Sequence, residues 1–511
     1  DITPVEPVQL SGELMFIDTH EVDQQWVLRN IDGSLTPIAV GYEPPKTDSF
    51  GRTVLPGAVV IITCYITPFG VCNPVSSDST FVVSPLPALP PEASIVYQRL
   101  LVVILDYSAC GFPASLTEAA ARSIFLGPNG DGTGGVAQKY TQCSYGKFNL
   151  NATAFRAITV RPNCTNSAVA ACSWWTISQD GDDGARTLMG ITPFSSMTHF
   201  AYVVPPGMMN LCPWAGLALL PGRQIWLQTS GYGVNRWATI MQESIHNYGL
   251  WHSWQNGWEY EDYSTAMGRG DVCPNAAEIS RLGWSSPAPG GDAIDSQRLP
   301  ANTALTFNIP ATYLTPVGNF LRIMPDWLPT YSNISLGKNL YIAVRVNKGG
   351  DTSLSSFYAN KVNVHEVNAT MDNGYPSYWI YTDRKISFLA TVASQSQANL
   401  TNYRLVVYGG SWVGNDTLKV HICRYSTSPA DCPSLAFLEA RPSPPPAPPP
   451  PSAPPPKPPP PLPPPPPPPP PPRPPPSPRP PPRPRPPPRP PSPRPPPKPP
   501  SPQPSPRPPP P

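Results

Sequence analysis

The chain is 511 residues long with 82 prolines and 10 cysteines, and its 35 Lys and Arg against 33 Asp and Glu leave a formal net charge of +2. That balance, with no recognised nucleic-acid motif, argues against a nucleic-acid binder, and no apolar run approaches the roughly 20 residues of a membrane helix. The proline count excludes a wholly globular chain, because residues with fixed φ and no backbone donor cannot fill packed elements in such numbers.

Residues 1–84 read as short strands at 13–17, 25–28 and 58–63, separated by Gly, Asp and Pro, and predict a small β-rich domain. A Pro-rich linker follows at 85–95. Next, 100–105 is apolar on both faces, as in a strand buried in mid-sheet, and 116–126 reads as a helix opening around Thr117 and Glu118. A second buried strand is expected at 200–204, and 225–228 reads as an edge strand that aligns an extended peptide by backbone pairing. Two acidic, glycine-rich stretches, 129–132 and 180–184, read as turns; their carboxylates also suit calcium, but neither completes an EF-hand loop. Asn235 is placed to cap the helix that follows, which presents Trp237, Met241 and Ile245 to the core.

That helix carries Gln242-Glu243-x-x-His246-x-x-Gly249-x-x-His252. Residues four apart share a helix face, so Gln242 and His246 can aim at one ion, while Glu243 beside them is placed to take a proton from an attacking water. Gly249 supplies a left-handed turn that ends the helix and returns His252 as a third donor. Three protein donors leave one position open, the arrangement of a catalytic rather than a structural metal. Downstream, Asp262-Tyr263-Ser264-x-x-Met267-Gly268 stands where peptidases of the H-E-x-x-H-x-x-G-x-x-H type place a methionine turn, with Met267 as the apolar floor of the site. Gln242 departs from that pattern, which has histidine there. An amide oxygen is a neutral and weaker donor, so zinc affinity should fall and the preferred ion can differ.

These residues, with Ser253 and Arg281-Leu282-Gly283-Trp284, resemble the metzincin clan and, within it, the gametolysin-type metallopeptidases of green algae, over roughly 96–440. The resemblance implies an α+β fold with a metzincin-like catalytic domain at 96–285, in a family where some algal members share the Gln-Glu-x-x-His variant. It implies zinc on Gln242, His246 and His252, with copper as the alternative ion, and Glu243 as the catalytic base. The implied activity is a metalloendopeptidase that cleaves hydroxyproline-rich extracellular-matrix or cell-wall glycoproteins. The alternative is a catalytically inactive, matrix-crosslinking structural glycoprotein that retains the protease fold. Ahead of such a domain, residues 1–84 are compatible with a pro-segment, Cys72 then either capping the metal as a thiolate or bonded to Cys64.

From 286 to 441 the pattern is again strand-rich, notably at 340–346 and 403–408, and predicts a β-sandwich-like domain. Gly409-Gly410-Ser411 is no nucleophile elbow, and neither His365 nor His421 has an evident partner in the sequence. Residues 442–511 are almost wholly proline and predict a polyproline II rod, at ~3.1 Å per residue roughly 200 Å if straight. The rod holds nine of the 35 Lys and Arg and no acid, so it carries +9, and the remaining 26 basic against 33 acidic residues leave the rest at −7. A basic rod suits acidic polysaccharide, or serves solubility alone.

Close cysteine pairs suggest local disulfides, Cys64 with Cys72, Cys164 with Cys172 and Cys423 with Cys432, leaving Cys110, Cys143, Cys212 and Cys273 for two more in any of three pairings. Sequons at Asn151, Asn163, Asn333, Asn368, Asn399 and Asn415 are candidates for N-glycosylation. Both features predict a secreted protein of the extracellular matrix or cell wall. The numbering opens on Asp1, so the lack of a visible leader says nothing of targeting.

Overall fold

The computed structural model describes residues 6–17, 25–52, 54–85, 95–164, 166–333, 335–374 and 385–440. Residues 86–94 of the expected linker and the proline-rich rod expected at 442–511 lie outside the described residues.

The first strands are β1 (Val8–Ile17), β2 (Gln25–Asn30), β3 (Leu35–Pro37), β4 (Val59–Ile66), β5 (Cys72–Pro74) and β6 (Thr80–Ser84). β1 is the spine, antiparallel to both β2 and β4. Successive strand residues face opposite ways, so Leu14 and Phe16 enter a core with Trp26, Leu28, Val60 and Ile62, while Met15 and Ile17 enter a different one.

The next stretch holds β7 (Val96–Gln98), β8 (Leu100–Leu105), α1 (Glu118–Leu126), α2 (Gly135–Ser144), β9 (Phe148–Leu150), β10 (Arg156–Val160), α3 (Asn166–Val169), α4 (Trp174–Met189), α5 (Ile191–Ser195), β11 (His199–Val204), β12 (Gly216–Leu220), β13 (Gln224–Gln228) and α6 (Trp237–His246). Its sheet runs β10-β8-β11-β13-β12 and continues into β1-β2-β3. All pairs from β10 to β13 are parallel, and β12 alone turns antiparallel to β13. β8 is buried at all six positions. Val102 and Ile104 pack with Phe125 of α1, Tyr140 of α2 and Met241 of α6, while Leu101, Val103 and Leu105 pack with Trp174 and Ile177 of α4. Helices on both faces explain why this strand has no polar alternation.

Two readings change here. Residues 225–228 are not an edge: β13 lies between β11 and β12. Residues 180–184 are neither a turn nor a calcium loop but the middle of α4. Gly181 lies where a Cβ would come within 3.0 Å of Tyr202, and Gly184 where one would strike Val160 at 2.1 Å, so the glycines let the helix lie close on the sheet.

The last stretch comprises β14 (Ser253–Gln255), β15 (Trp258–Glu259), α7 (Ala276–Arg281), β16 (Thr303–Pro310), β17 (Phe320–Ile323), β18 (Lys338–Arg345), β19 (Lys361–Asn368), α8 (Ala369–Gly374), β20 (Ile386–Ala393), β21 (Ser396–Leu400), β22 (Leu405–Trp412), β23 (Thr417–Arg424) and α9 (Leu435–Ala440). A six-stranded sheet, β15-β14-β20-β19-β18-β17, and a four-stranded one, β16-β23-β22-β21, share an apolar core that includes Leu340, Ile342 and Val344 of the first and Leu405, Val407 and Val420 of the second. β14, which starts one residue after His252, joins the first sheet by running parallel to β20.

Five disulfides tie the chain: Cys64–Cys72, Cys110–Cys164, Cys143–Cys273, Cys172–Cys212 and Cys423–Cys432. The expected Cys164–Cys172 bridge is therefore overturned, and of the bonds left open among Cys110, Cys143, Cys212 and Cys273 only Cys143–Cys273 is present. β8 and β10 are parallel neighbours, so the segments leaving their C-terminal ends, one with Cys110 and one with Cys164, emerge side by side. Cys72 is bonded to Cys64, which removes the thiolate that a metal cap requires.

Candidate metal centre and active site

α6 starts with Arg236, not Asn235, at its N-cap, and no side chain caps it there. Asn235 is drawn into the preceding turn, its N–H donating to the Ser230 carbonyl. Arg236 ties the helix start to the segment beyond the methionine turn, with a 2.6 Å ion pair to Asp271 and hydrogen bonds to the Arg269 and Gly270 carbonyls. The helix is buried from Ala238 to His246, including Gln242 and Glu243. It ends at His246, and in the turn that follows Gly249, whose φ of +87° suits glycine, sends the chain back toward the helix.

The turn brings His246 and His252 together, their Nε2 atoms 3.0 Å apart. The other ring nitrogens are engaged: His246 Nδ1 lies 2.6 Å from the Leu250 carbonyl oxygen, and His252 Nδ1 lies 2.9 Å from Glu259 Oε1. Both partners are acceptors, so each Nδ1 carries the proton, and in the neutral rings each Nε2 keeps its lone pair. Two nitrogens held tetrahedrally by one zinc at ~2.05 Å would be about 3.3 Å apart, so this pair fits a shared metal ion. Among the described residues no three His, Cys, Asp or Glu side chains converge as a metal site. Gln242 lies one turn before His246 on α6 and lines the same cleft as Glu243.

That cleft has a volume of about 670 Å³ and is walled by Trp214, Ala215 and Gly216 at the start of β12, by Thr239, Gln242 and Glu243 of α6, and by Tyr260, Tyr263 and Arg269. Glu243 packs directly over Gly216. A Cβ at residue 216 would lie 2.5 Å from Glu243 Oε1 and 2.6 Å from its Cγ, so only glycine leaves the carboxylate where it is.

Met267 is fully buried in the core that also holds Met241 and Ile245. Its carbonyl accepts from the N–H of Ser253, next to His252, at 2.8 Å. Under the turn lies a buried polar cluster. Asp262 accepts from Ser253 Oγ at 2.7 Å, from Ser264 N at 2.8 Å and Oγ at 2.6 Å, and faces His365 Nε2 at 3.1 Å. Burial alone would raise the Asp262 carboxyl; His365 and the hydrogen bonds from His365, Ser264 and Ser253 outweigh it and hold the group below the usual carboxylate range. Nearby Glu278 is pushed up to about 8, first by burial and then by Asp262, against hydrogen bonds from Thr265 and Asn275. Arg345 completes the layer, binding both oxygens of Asp351 and the carbonyls of Ser264 and Cys273.

His365 thus has partners that the sequence did not reveal, and so does His421, which meets Glu439 Oε1 at 2.7 Å and Thr306 at 2.8 Å. Glu259 and Gly216 were also missed. A signal for Glu259 existed, since Asn256-Gly257 between two short apolar-aromatic runs is a two-residue hairpin signature. Of the sequons, Asn163, Asn333, Asn399 and Asn415 are exposed and Asn151 partly so. Asn368 is 1% exposed, and its side chain accepts the Met371 N–H, so it is corrected to a structural residue with no room for a glycan.

The profile of the gametolysin peptidase M11 family matches residues 99–402, and the chain belongs to that family. Membership implies a bound metal. The chain is also similar to the autolysin of Chlamydomonas reinhardtii, 26% identical over 256 residues, with 37% of this chain and 40% of that protein covered. The match therefore spans less than half of that relative's length.

Proposed function

We propose that this chain is a secreted metalloendopeptidase that cleaves hydroxyproline-rich glycoproteins of an extracellular matrix or cell wall. One observation carries the reading: two imidazole Nε2 atoms meet at 3.0 Å at the end of the helix that presents Gln242 and Glu243 to the cleft. Gln242, His246 and His252 would hold the ion, zinc first and copper as the alternative. A metal there supplies Lewis-acid polarisation of the scissile carbonyl and a more acidic water.

The remaining steps belong to the protein. An extended peptide pairs by its backbone with the start of β12 at the cleft, ahead of Leu219 and Leu220 where that strand is taken up by β1. Glu243 takes the proton of the attacking water and passes it to the departing amine nitrogen. Gly216 keeps the floor beneath that carboxylate free of a side chain, and Met267 supports the ligand segment from below.

Five disulfides and four exposed sequons support an oxidising, secretory route. Among the described residues no helix is long and apolar enough to cross a membrane. The related protein's name, autolysin, agrees with a lytic role. The basic proline-rich segment is assigned to binding acidic polysaccharide in the same matrix. One residue favours the second reading, an inactive matrix-crosslinking glycoprotein: Gln242, whose neutral amide is a weak donor.

Elemental analysis together with proteolysis of a wall glycoprotein separates the two. The enzyme reading expects about one metal per chain and chelator-sensitive cleavage, falling at least ~10²-fold in Glu243→Gln. Equal inertness of both proteins, with metal bound, would establish the scaffold.

A further inference from the structure

We infer that Glu259 is a positioning residue for His252, and that its carboxylate offsets the weak amide donor at residue 242. The inference rests on the metal-site reading above and deepens it.

The placement of Glu259 follows from local sequence. β14 leaves His252 directly and ends at Gln255; Asn256 and Gly257 then adopt left-handed φ values of +54° and +80°. Positive φ at both central residues is what a two-residue type I′ hairpin needs, and Asn-Gly is the pair that tolerates it best. β15 returns antiparallel, Gln255 opposite Trp258 and Trp254 opposite Glu259. On its other side β14 is held by β20, with Ser253 opposite Ile386 and Gln255 opposite Phe388. The hairpin is therefore the outer rung of a larger sheet and not a free flap. It brings Glu259 Oε1 to 2.9 Å from His252 Nδ1. From another direction the Tyr260 ring packs on the imidazole, centroids 4.1 Å apart, and His252 has no exposed surface.

The two histidines are supported unequally. His246 Nδ1 donates to a neutral backbone carbonyl, whereas His252 Nδ1 donates to a carboxylate. An anionic acceptor strengthens that hydrogen bond and makes the opposite nitrogen a better donor to a metal. Where a third imidazole would otherwise stand, this chain has a neutral amide, so the added basicity falls on a site that lacks donor strength. The carboxylate also removes ring rotation as a competing freedom, because only one tautomer and one ring orientation satisfy it.

Zinc affinity, measured by competition with a chromophoric chelator, tests this on full-length wild type, Glu259→Gln and Glu259→Ala. The expected loss is about 10- to 100-fold for Glu259→Ala and smaller for Glu259→Gln, whose amide oxygen keeps an acceptor without the charge. The copper(II) electron paramagnetic resonance spectrum should change in both, and the apo melting temperature should not change in Glu259→Gln, which keeps the test valid if the alanine variant fails to fold. In a Gln242→His background the Glu259→Gln loss should shrink. Wild type that takes up neither zinc nor copper sinks the metal-site reading and this inference with it. Wild type that binds, with both variants within about twofold of it, overturns the inference alone, and an undiminished loss in the Gln242→His background overturns the offsetting role.

Discussion

Trp251 and Ser253 flank the same histidine but answer to opposite ends of the chain, and by different chemistry. Trp251 belongs to the apolar core of the N-terminal strands, its ring 5.0 Å from Phe16, with Trp26 and Leu220 around it. That joint is completed by two sheet pairings, Phe16 with Leu220 and Ile17 with Leu219. Ser253 belongs to a polar joint, bonded to Asp262 and to the Ile386 carbonyl, and backed by His365, Arg345, Asp351 and the Cys143–Cys273 bridge. Apolar contacts are non-directional and tolerate small shifts, whereas buried charges and hydrogen bonds have one arrangement or none. The His252 segment is thus cushioned on one side and pinned on the other. The pin comes from strands more than 100 residues downstream, as the 103-residue separation of His365 from Asp262 shows.

The largest expected effect is at the pin. His365→Ala leaves the buried Asp262 carboxylate without its main partner and should cost about 3–5 kcal/mol, read as a lower denaturation midpoint; replacing both residues together, as Asp262→Leu with His365→Leu, should recover part of that. At the cushion, Trp251→Ala opens a cavity and should cost about 3 kcal/mol, while Trp251→Phe should retain most of the stability and the metal affinity. A polar joint that tolerated truncation as readily as the apolar one would break the contrast.

A smaller effect concerns pH. The Glu278 carboxyl stands at about 8 in the folded chain against an ordinary 4.5, so between those values the native state holds a proton that the unfolded state has released. Stability should therefore fall as pH rises across that window, by at most ~1.4 kcal/mol per pH unit. Glu278→Gln should flatten this part of the profile, which denaturant titrations at several pH values can read. Asp262 works in the opposite sense: its depressed pKa contributes stability above the ordinary carboxylate range, lost as pH falls through the folded value. Least disruptive to the fold is Gly216→Ala, expected to lower kcat by about tenfold through a displaced Glu243, on the order of 1.4 kcal/mol in the barrier, with little change in metal affinity.

The site was legible where chemistry and spacing coincide within a few turns of chain. His246 and His252 lie at the end of one helix and on its return, so the approach of their rings follows from helix geometry and a glycine. β8 was legible because six consecutive apolar residues leave no other place for it than mid-sheet. What stayed hidden depends on distant partners. His365 acquires its role from a strand pairing that sets it beside Asp262, and Cys164 finds Cys110 because β8 and β10 run parallel. α4 was misread for a compositional reason: Asp180, Gly181, Asp182, Asp183 and Gly184 look like a loop. Trp174, Ile177, Ser178, Gly181 and Ala185 are nevertheless buried at helical spacing. Asp180 and Asp182 are accommodated there by the Tyr107 and Tyr202 hydroxyls, with Asp182 raised to about 6, chiefly by burial.

Gln242, His246 and His252 are proposed to share one ion beside Glu243. Anomalous diffraction at the metal edge, from crystals of the zinc-loaded protein, tests it most directly. A single peak is expected about 2.0–2.2 Å from both Nε2 atoms and from the Gln242 amide oxygen. A peak elsewhere, or one whose neighbours include neither histidine, would contradict it.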